Sequence, residues 1–493
     1  MATTVQQDTN QPDYQCAAAR EMVGDICYVR DTEKGTRHLR SRRTEYLPRE
    51  EAETDKAYEI RLSRAVMVNF FCRALNALVG LVFKESPKLS EDVPDVMAGR
   101  EATDTQSTIE GQLEDCDLAG THWTVFIKEL FKDAMRDGHS FLLTEMPPPL
   151  AEGATRADEI AANRRPYWVK YTADQAVNWR IDSRGRLQQV TLMECSLEPD
   201  GEYGEQMVYR YRVLRPGSWE LYRKVKDDNG AETLVTEDSG FTSLTEIPLS
   251  VCYGRYCAPM QSKPPLLDLA VVNIAHFNEL SDYRIYLHIC SRPILFAAGR
   301  DTTKNAPQLS AYSLVDVKDG GNVGYAETSG SALGAARQDL KDMEEHMGVL
   351  GLQMVTEQTS GDKTATEERG DQIKELSELA TAAQSLHDCI ERALGFWAEY
   401  LGLDSGGSVE LAVKPEQMIG EQAARVFLDA AGSVFTKATV RKILASAFAP
   451  LMPADYSEEA ESAELEAEAQ KARDAMPDVG QQIGRMFNAG AVE

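Results

Sequence analysis

Residues 333–403 read LGAARQDLKDMEEHMGVLGLQMVTEQTSGDKTATEERGDQIKELSELATAAQSLHDCIERALGFWAEYLGL. The stretch predicts a helix, a polar hinge loop and a longer helix. In the first part Leu333, Ala336, Leu340, Met343, Met347, Leu350 and Met354 recur at steps of three and four, the period of one helix face. The loop Thr356-Glu357-Gln358-Thr359-Ser360-Gly361-Asp362-Lys363 carries no apolar side chain. Thr364 and Glu367 then form the capping-box pattern of a new helix. Ile373, Leu376, Leu379, Ala383, Leu386, Ile390, Leu394, Trp397 and Leu401 keep the helical period without a proline, and Gly402 supplies a stop. A continuous helix over 365–402 would be about 57 Å long at the α-helical rise. That exceeds the needs of an average globular helix, and a long helix with a polar loop at its start suits a mechanical part.

Working outward, Pro264-Pro265 opens a helix over Leu266 to Cys290, since proline suits a first turn. Residues 294–332 turn β-like, with Ile294-Leu295-Phe296 and Leu314-Val315-Asp316-Val317 as strands among glycines. One helix therefore leads into a small β excursion and another leads out at Leu333. A lone hairpin is marginal in water, and neighbouring copies completing its sheet would explain it. Upstream, strands at Tyr167–Tyr171, Leu187–Met193, Met207–Leu214, Trp219–Val225 and Glu232–Val235 are separated by turn residues, which predicts an antiparallel meander. Earlier still come an amphipathic helix over Tyr58 to Phe83 and another over Thr121 to Asp137. The second has Val125, Ile127, Leu130, Phe131 and Ala134 inward and Gly138 as terminator. Phe141-Leu142-Leu143 is a short strand, and the polar segment to Arg165 a loop. Residues 1–57 read as a solvated arm or loop. Its basic cluster Arg37, His38, Arg40, Arg42 and Arg43 either faces water or meets an acidic neighbour or a phosphate. Beyond Gly402 lie a strand-like Val409–Val413, helices at 420–432 and 436–447, and an acidic run over 455–469 with seven acidic residues and no basic ones.

The chain has 493 residues, which suggests about three domain-sized units. Hydrophobic residues make up 43%, enough for a packed core. The net charge of -27 makes most of the surface repel nucleic acid, so a DNA-gripping role is not expected, while a channel that lets DNA slide is compatible with it. Nine cysteines at irregular spacing read as reduced thiols in a cytosolic setting. Cys252 and Cys257 lack a second pair or nearby histidine, so no metal site is expected. Met1 to Pro12 holds no apolar signal core, and no run of about 18 apolar residues predicts a membrane span.

Catalytic motifs are missing. Gly361-Asp362-Lys363-Thr364 ends like a phosphate-binding loop, but Asp362 and Glu357 stand where glycines are required, and carboxylates there repel the ligand. No G-x-S-x-G, H-E-x-x-H or H-x-E…C-x-x-C pattern occurs. His276, His288, His346 and His387 fall in predicted helices as structural histidines. No cofactor and no enzymatic activity are expected.

The order of these parts resembles the portal protein of tailed bacteriophages, and is similar to a portal-like phage family long catalogued as a domain of unknown function. The resemblance covers about residues 45–450. It rests on Asn69-Phe70 with Leu78-Val79-Gly80-Leu81-Val82-Phe83, on Arg165-Pro166-Tyr167-Trp168-Val169 with Asn178-Trp179-Arg180, and on Pro264-Pro265-Leu266-Leu267-Asp268-Leu269-Ala270 with Asn273-Ile274-Ala275-His276-Phe277-Asn278. Glu327 to Leu333, Leu350 to Met354 and Thr364-Ala365-Thr366-Glu367-Glu368 continue it.

The resemblance implies an α+β, mainly helical portal fold. Residues 1–263 would be the wing, 264–293 and 334–355 the stem helices, and 294–333 the clip. Residues 356–364 would be the tunnel loop, 365–402 the tunnel helix, 403–450 a wing-to-crown transition and 451–493 the acidic crown. It implies a ring, usually a dodecamer, at one capsid vertex of a virion assembled in the host cytoplasm. Double-stranded DNA would pass through it. Terminase, major capsid and scaffold proteins and a head–tail adaptor would be its partners, with no membrane involved. Thr359, Ser360, Gly361, Asp362, Lys363 and Thr364 would face the DNA, with Lys363 and Lys374 as phosphate contacts. Lys363 could equally pair with Glu367, and both readings stand at the level of sequence. A ring-forming head–tail adaptor without a DNA-facing loop is the alternative, and an enzyme of unknown chemistry a more distant one.

Overall fold

The computed structural model describes residues 8–99, 111–150, 155, 158, 161–226, 232–291, 294–298, 322–326, 331–353 and 378–411. The chain divides into two compact units, Met1–Met418 and Ile419–Glu493, against the expectation of three. The described residues all belong to the first. Predicted strand 314–317, the helices at 420–432 and 436–447 and the acidic run lie outside them.

The N-terminal region is helical rather than a solvated arm. Helix α1 (Ala17–Lys34) and the short α2 (Thr36–Arg42) meet at Gly35, whose φ is +71°. Instead of one helix over 58–83 there are two, α3 (Asp55–Arg64) and α4 (Phe70–Val82). One residue makes the break. The Asn69 side chain accepts from Cys72 N–H at 2.8 Å as the N-cap of α4 and donates to the carbonyls of Thr32 and Glu33, both at 3.0 Å. After strand β1 (Lys88–Leu89) and the one-turn α5 (Asp95–Ala98) comes α6 (Trp123–Asp137). It ends at Gly138, φ +101°, where an added Cβ would meet Ser262 Oγ at 2.4 Å. Its Val125 points outward, not inward as the period suggested.

Strand β2 (His139–Glu145) pairs antiparallel with both β3 (Tyr167–Thr172) and β9 (Leu249–Tyr253). It is buried on both faces, Leu142 entering one core and Phe141 and Leu143 another, as the period of two requires. The meander is a five-stranded antiparallel sheet in sequence order: β4 (Ala176–Ile181), β5 (Leu187–Asp200), β6 (Gly204–Arg215), β7 (Ser218–Lys226) and β8 (Glu232–Phe241). The strand count matches the sequence reading but its first member does not: Tyr167–Thr172 pairs with β2 in the other sheet, β4 takes its place in the meander, and β5 runs on to Asp200. With the second sheet this makes the unit a mixture of helix and strand. The α+β class holds, and "mainly helical" is corrected.

Strands β10 (Tyr256–Ala258) and β11 (Gln261–Ser262) form a small hairpin before helix α7 (Leu267–Cys290). Then come β12 (Ile294–Ala298) and β13 (Asn322–Ala326), helix α8 (Ser331–Gln353), helix α9 (Glu378–Leu401) and β14 (Val409–Glu410), which pairs with β1. The main core joins α4, α6, α9 and the base of α7 through Phe71, Leu75, Phe131, Leu269, Leu386 and Trp397. A second core lies under the meander, and a third joins α2, α3 and α7 through Leu39, Leu62 and Phe277.

Candidate functional site: the helix-hairpin-helix arm

Helix α7 is anchored over its first half only. Leu269, Ala270, Asn273, Ile274, His276, Phe277 and Ser281 are its buried residues. Asn273 is fully buried and makes the main lock. Its Oδ1 accepts from Phe71 N–H at 3.1 Å and its Nδ2 donates to Val68 O at 2.9 Å, so it satisfies backbone groups at the start of α4. Losing that side chain would strand both groups at a cost of about 1–3 kcal/mol each. Arg61 of α3 adds a 3.2 Å contact to Asp282 while held by Glu53 at 2.8 Å. Burial pushes the Asp282 carboxyl up, and Arg61 opposes it.

Past Ser281 no residue of α7 is buried, and Leu287 and Ile289 are 41% and 51% exposed. The arm then turns through β12 and β13, paired antiparallel from Ile294↔Ala326 to Ala298↔Asn322. Helix α8 leads back along α7, where Glu344 lies 3.4 Å from His276 Nε2. Burial lowers the pKa of His276, which also packs edge-on to Phe70, and Glu344 acts against that shift. Only where α8 reaches the body do Met347 and Leu350 join the main core, with Gly351 beside Ala74.

Helix α9 begins in the body. Leu379 and Ala380 are buried, and Arg255 lies 3.6 Å from Glu378. Trp397 donates to Gln112 Oε1 at 3.0 Å and meets Trp168 edge-on at 5.5 Å. Ser385 Oγ accepts the Tyr253 N–H at 2.8 Å, tying the helix to β9. The expected stop is present: Gly402 has φ +70°, and Leu403 N–H reaches Ala398 O at 2.9 Å. Both flanks of residues 354–377 are therefore fixed to the body. The predicted DNA-facing residues Thr359, Ser360, Gly361, Asp362, Lys363 and Thr364, with Lys374 and the capping pair Thr364 and Glu367, lie outside the described residues.

The basic cluster of α2 meets acidic neighbours within the chain. His38 lies 2.7 Å and Arg42 3.6 Å from Asp31, Arg43 pairs with Glu59, and Arg40 donates to Ala65 O at 2.8 Å. A second ionic cluster joins residues too far apart in the chain to be read as a pattern. Arg30 contacts Asp137 at 2.7 Å and Asp174 at 2.6 Å, joining α1 to the end of α6 and to the turn between β3 and β4. Burial pushes the Asp174 carboxyl up, but the Arg30 guanidinium outweighs it and holds it below the usual range.

A cleft of about 610 Å³ lies between the meander and α9, lined by Ile247, Leu249, Met260, Ser385, Cys389 and Arg392. Burial pushes the Cys389 thiol well up, which disfavours a nucleophilic thiolate, and Arg392 contacts Glu246 at 3.1 Å. Among the described residues no group of three His, Cys, Asp or Glu side chains could hold a metal ion, and no helix is long and apolar enough to cross a membrane. All nine cysteines are free.

Residues 265–401, spanning α7 to α9, match a family described as a domain of unknown function (DUF4055). No curated protein matches the chain. Among solved structures it is similar to a chain in the virion of a native gene transfer agent (GTA) particle, at 12% identity and a TM-score of 0.33, over 82% of this chain and 98% of that one. It is also similar to a chain in the neck of a native GTA particle computed with C12 symmetry, at 11% identity and a TM-score of 0.32 over 76% of this chain and 89% of that one. A chain in the neck of an empty GTA particle computed with C6 symmetry gives 12% identity and a TM-score of 0.31 over 76% and 89%. Likeness at this level speaks to neither the activity nor the partners of this chain.

Proposed function

We propose that the chain is a phage portal subunit. Copies of it form a ring, a dodecamer in this reading, at one capsid vertex, and double-stranded DNA is packaged and ejected through the axial channel. The observation that carries the reading is the arm. Two helices bury their inner halves in the body, expose Leu287 and Ile289 beyond it, and carry a small hairpin. An arm that cannot cover its own apolar residues is suited to packing against neighbours in a ring. In this reading residues 1–263 are the wing, α7 and α8 the stem, and 294–333 the clip that docks terminase and later the head–tail adaptor. Residues 356–364 are the tunnel loop, 365–402 the tunnel helix, 403–450 the transition and 451–493 the crown. Major capsid and scaffold proteins surround the ring, the chain catalyses no reaction, and the particle is assembled in the host cytoplasm.

The direct test is to interrupt the gene in its phage. The reading predicts heads without DNA, and DNA-filled heads made without the chain would overturn it. The finer proposal is that Lys363, with Lys374, touches passing phosphates weakly enough for DNA to slide. Lys363→Ala is then expected to slow packaging or weaken DNA retention. Virions that package and retain DNA normally would return Lys363 to a turn or to a pair with Glu367.

A further inference from the structure

The return helix α8 meets α7 along a narrow seam. Leu340 and Met347 of α8 are buried. Glu344 stands between them at steps of four and three, so it shares their face of the helix. Opposite it, His276 of α7 is 1% exposed, and its Nε2 lies 3.4 Å from Glu344 Oε1. That is long for a hydrogen bond, and neither ring nitrogen has a hydrogen-bond partner among the described residues. The Glu344 side chain is about half exposed. A carboxylate half in water thus faces an imidazole sealed from it.

The closed seam is poorly suited to a positive charge on that ring. Burial opposes the charged form of His276, and Glu344 offsets only part of the cost because water screens it. The groups on the neighbouring elements do not help. Arg73 of α4 lies over the Phe70 ring at 6.0 Å, the aromatic that His276 meets edge-on, and adds a like charge. On α3, Arg61 is taken by Glu53 and Asp282. On α1, Asp31 is engaged by Lys34 and His38, and Glu33 by Lys132 and Arg136. Lys341 of α8 pairs with Glu345 at 3.5 Å, and Glu279, one turn along α7, is exposed.

We propose that His276 and Glu344 make the seam between α7 and α8 an acid-operated release. The neutral imidazole lets the seam close, and its protonation lets α8 lift from α7. A lifted α8 gives the ring to water, where it binds a proton near the ordinary histidine value of about 6.5, so acid favours the open arrangement. Opening is local because α8 has few buried apolar residues to give up. The proposal rests on the α7–α8 packing and is independent of the portal reading.

Hydrogen exchange of the full chain at about pH 7.5 and about pH 5.5, corrected for the intrinsic pH dependence of exchange, reads the opening of residues 338–350. Residues 190–213, which hold no histidine, are the control. Opening of α8 is expected to increase several-fold at the lower pH, up to about ten-fold, the limit set by a released histidine of ordinary pKa. His276→Phe keeps an aromatic ring beside Phe70 and removes the titrating group, so the increase is expected to vanish. Glu344→Gln removes the opposing charge at a half-exposed position and is expected to enlarge it. No increase in the unaltered chain, an equal one in the control stretch, or one that survives in His276→Phe would overturn the proposal. A Glu344→Gln chain whose α8 no longer responds to acid would show that the ion pair holds the seam rather than releasing it, and would overturn it too.

Discussion

His139 is fully buried at the start of β2, its Nδ1 2.6 Å from Ser262 Oγ and its ring edge-on to Phe141. Burial lowers its pKa from 6.5 to about 4. The folded state therefore keeps it neutral where the unfolded chain is protonated. The unfolded state then binds more protons, so stability falls as pH drops from about 6.5 to about 4 and is constant above that window for this group. The whole contribution is about 3 kcal/mol. Urea unfolding across that range is expected to show the loss, and His139→Gln to flatten it; an unchanged slope in the variant would contradict the account. His139 did not stand out in the sequence, and Asn69 and Asn273 entered only among the residues that carry the resemblance, with no structural role read for either. Asn273 reads as a polar interruption of α7 because its partners Phe71 and Val68 lie 202 and 205 residues away. Short-range signals were legible where the partner is near. Gly138 and Gly402 end their helices, and His38 and Arg42 reach Asp31 only 7 and 11 residues back.

Helices with a clean apolar period were readable as elements: α6, α7 and α8 lie where the period put them, and α9 falls within the predicted 365–402, whose first part, 365–377, lies outside the described residues. The break at 65–69 was not, since the apolar period of Leu62, Ala65, Val66 and Phe70 runs through it and only the cap at Asn69 interrupts it. Turn residues gave the meander's connections. They did not give β4, whose six residues follow a three-residue helical turn, or the full length of β5 and β6, whose far ends are exposed. The arm makes its own prediction. Leu287→Glu with Ile289→Glu alters exposed positions, so the stability of the isolated subunit is expected to change by no more than about 0.5 kcal/mol. Assembly should be lost, read as a shift from a large oligomer to single chains in analytical ultracentrifugation. A doubly substituted chain that still assembles would remove the arm from the subunit contact.

For the molecule as a whole, composition set the class of surface and nothing about shape. The charge of -27 is compatible with a pore that does not hold DNA and equally with any acidic soluble body. The α+β mixture was legible, the share of sheet was underestimated, and two units replace the three suggested by length. The proposed assembly has no periodic signature in the sequence; what bears on it is the exposure of Leu287 and Ile289. Electron microscopy of the purified full chain, averaged along any symmetry axis, tests the portal reading most directly. The account predicts a closed ring with a central hole wide enough for duplex DNA. Single compact particles at every protein concentration, or rings with a closed centre too narrow for a duplex, would contradict it.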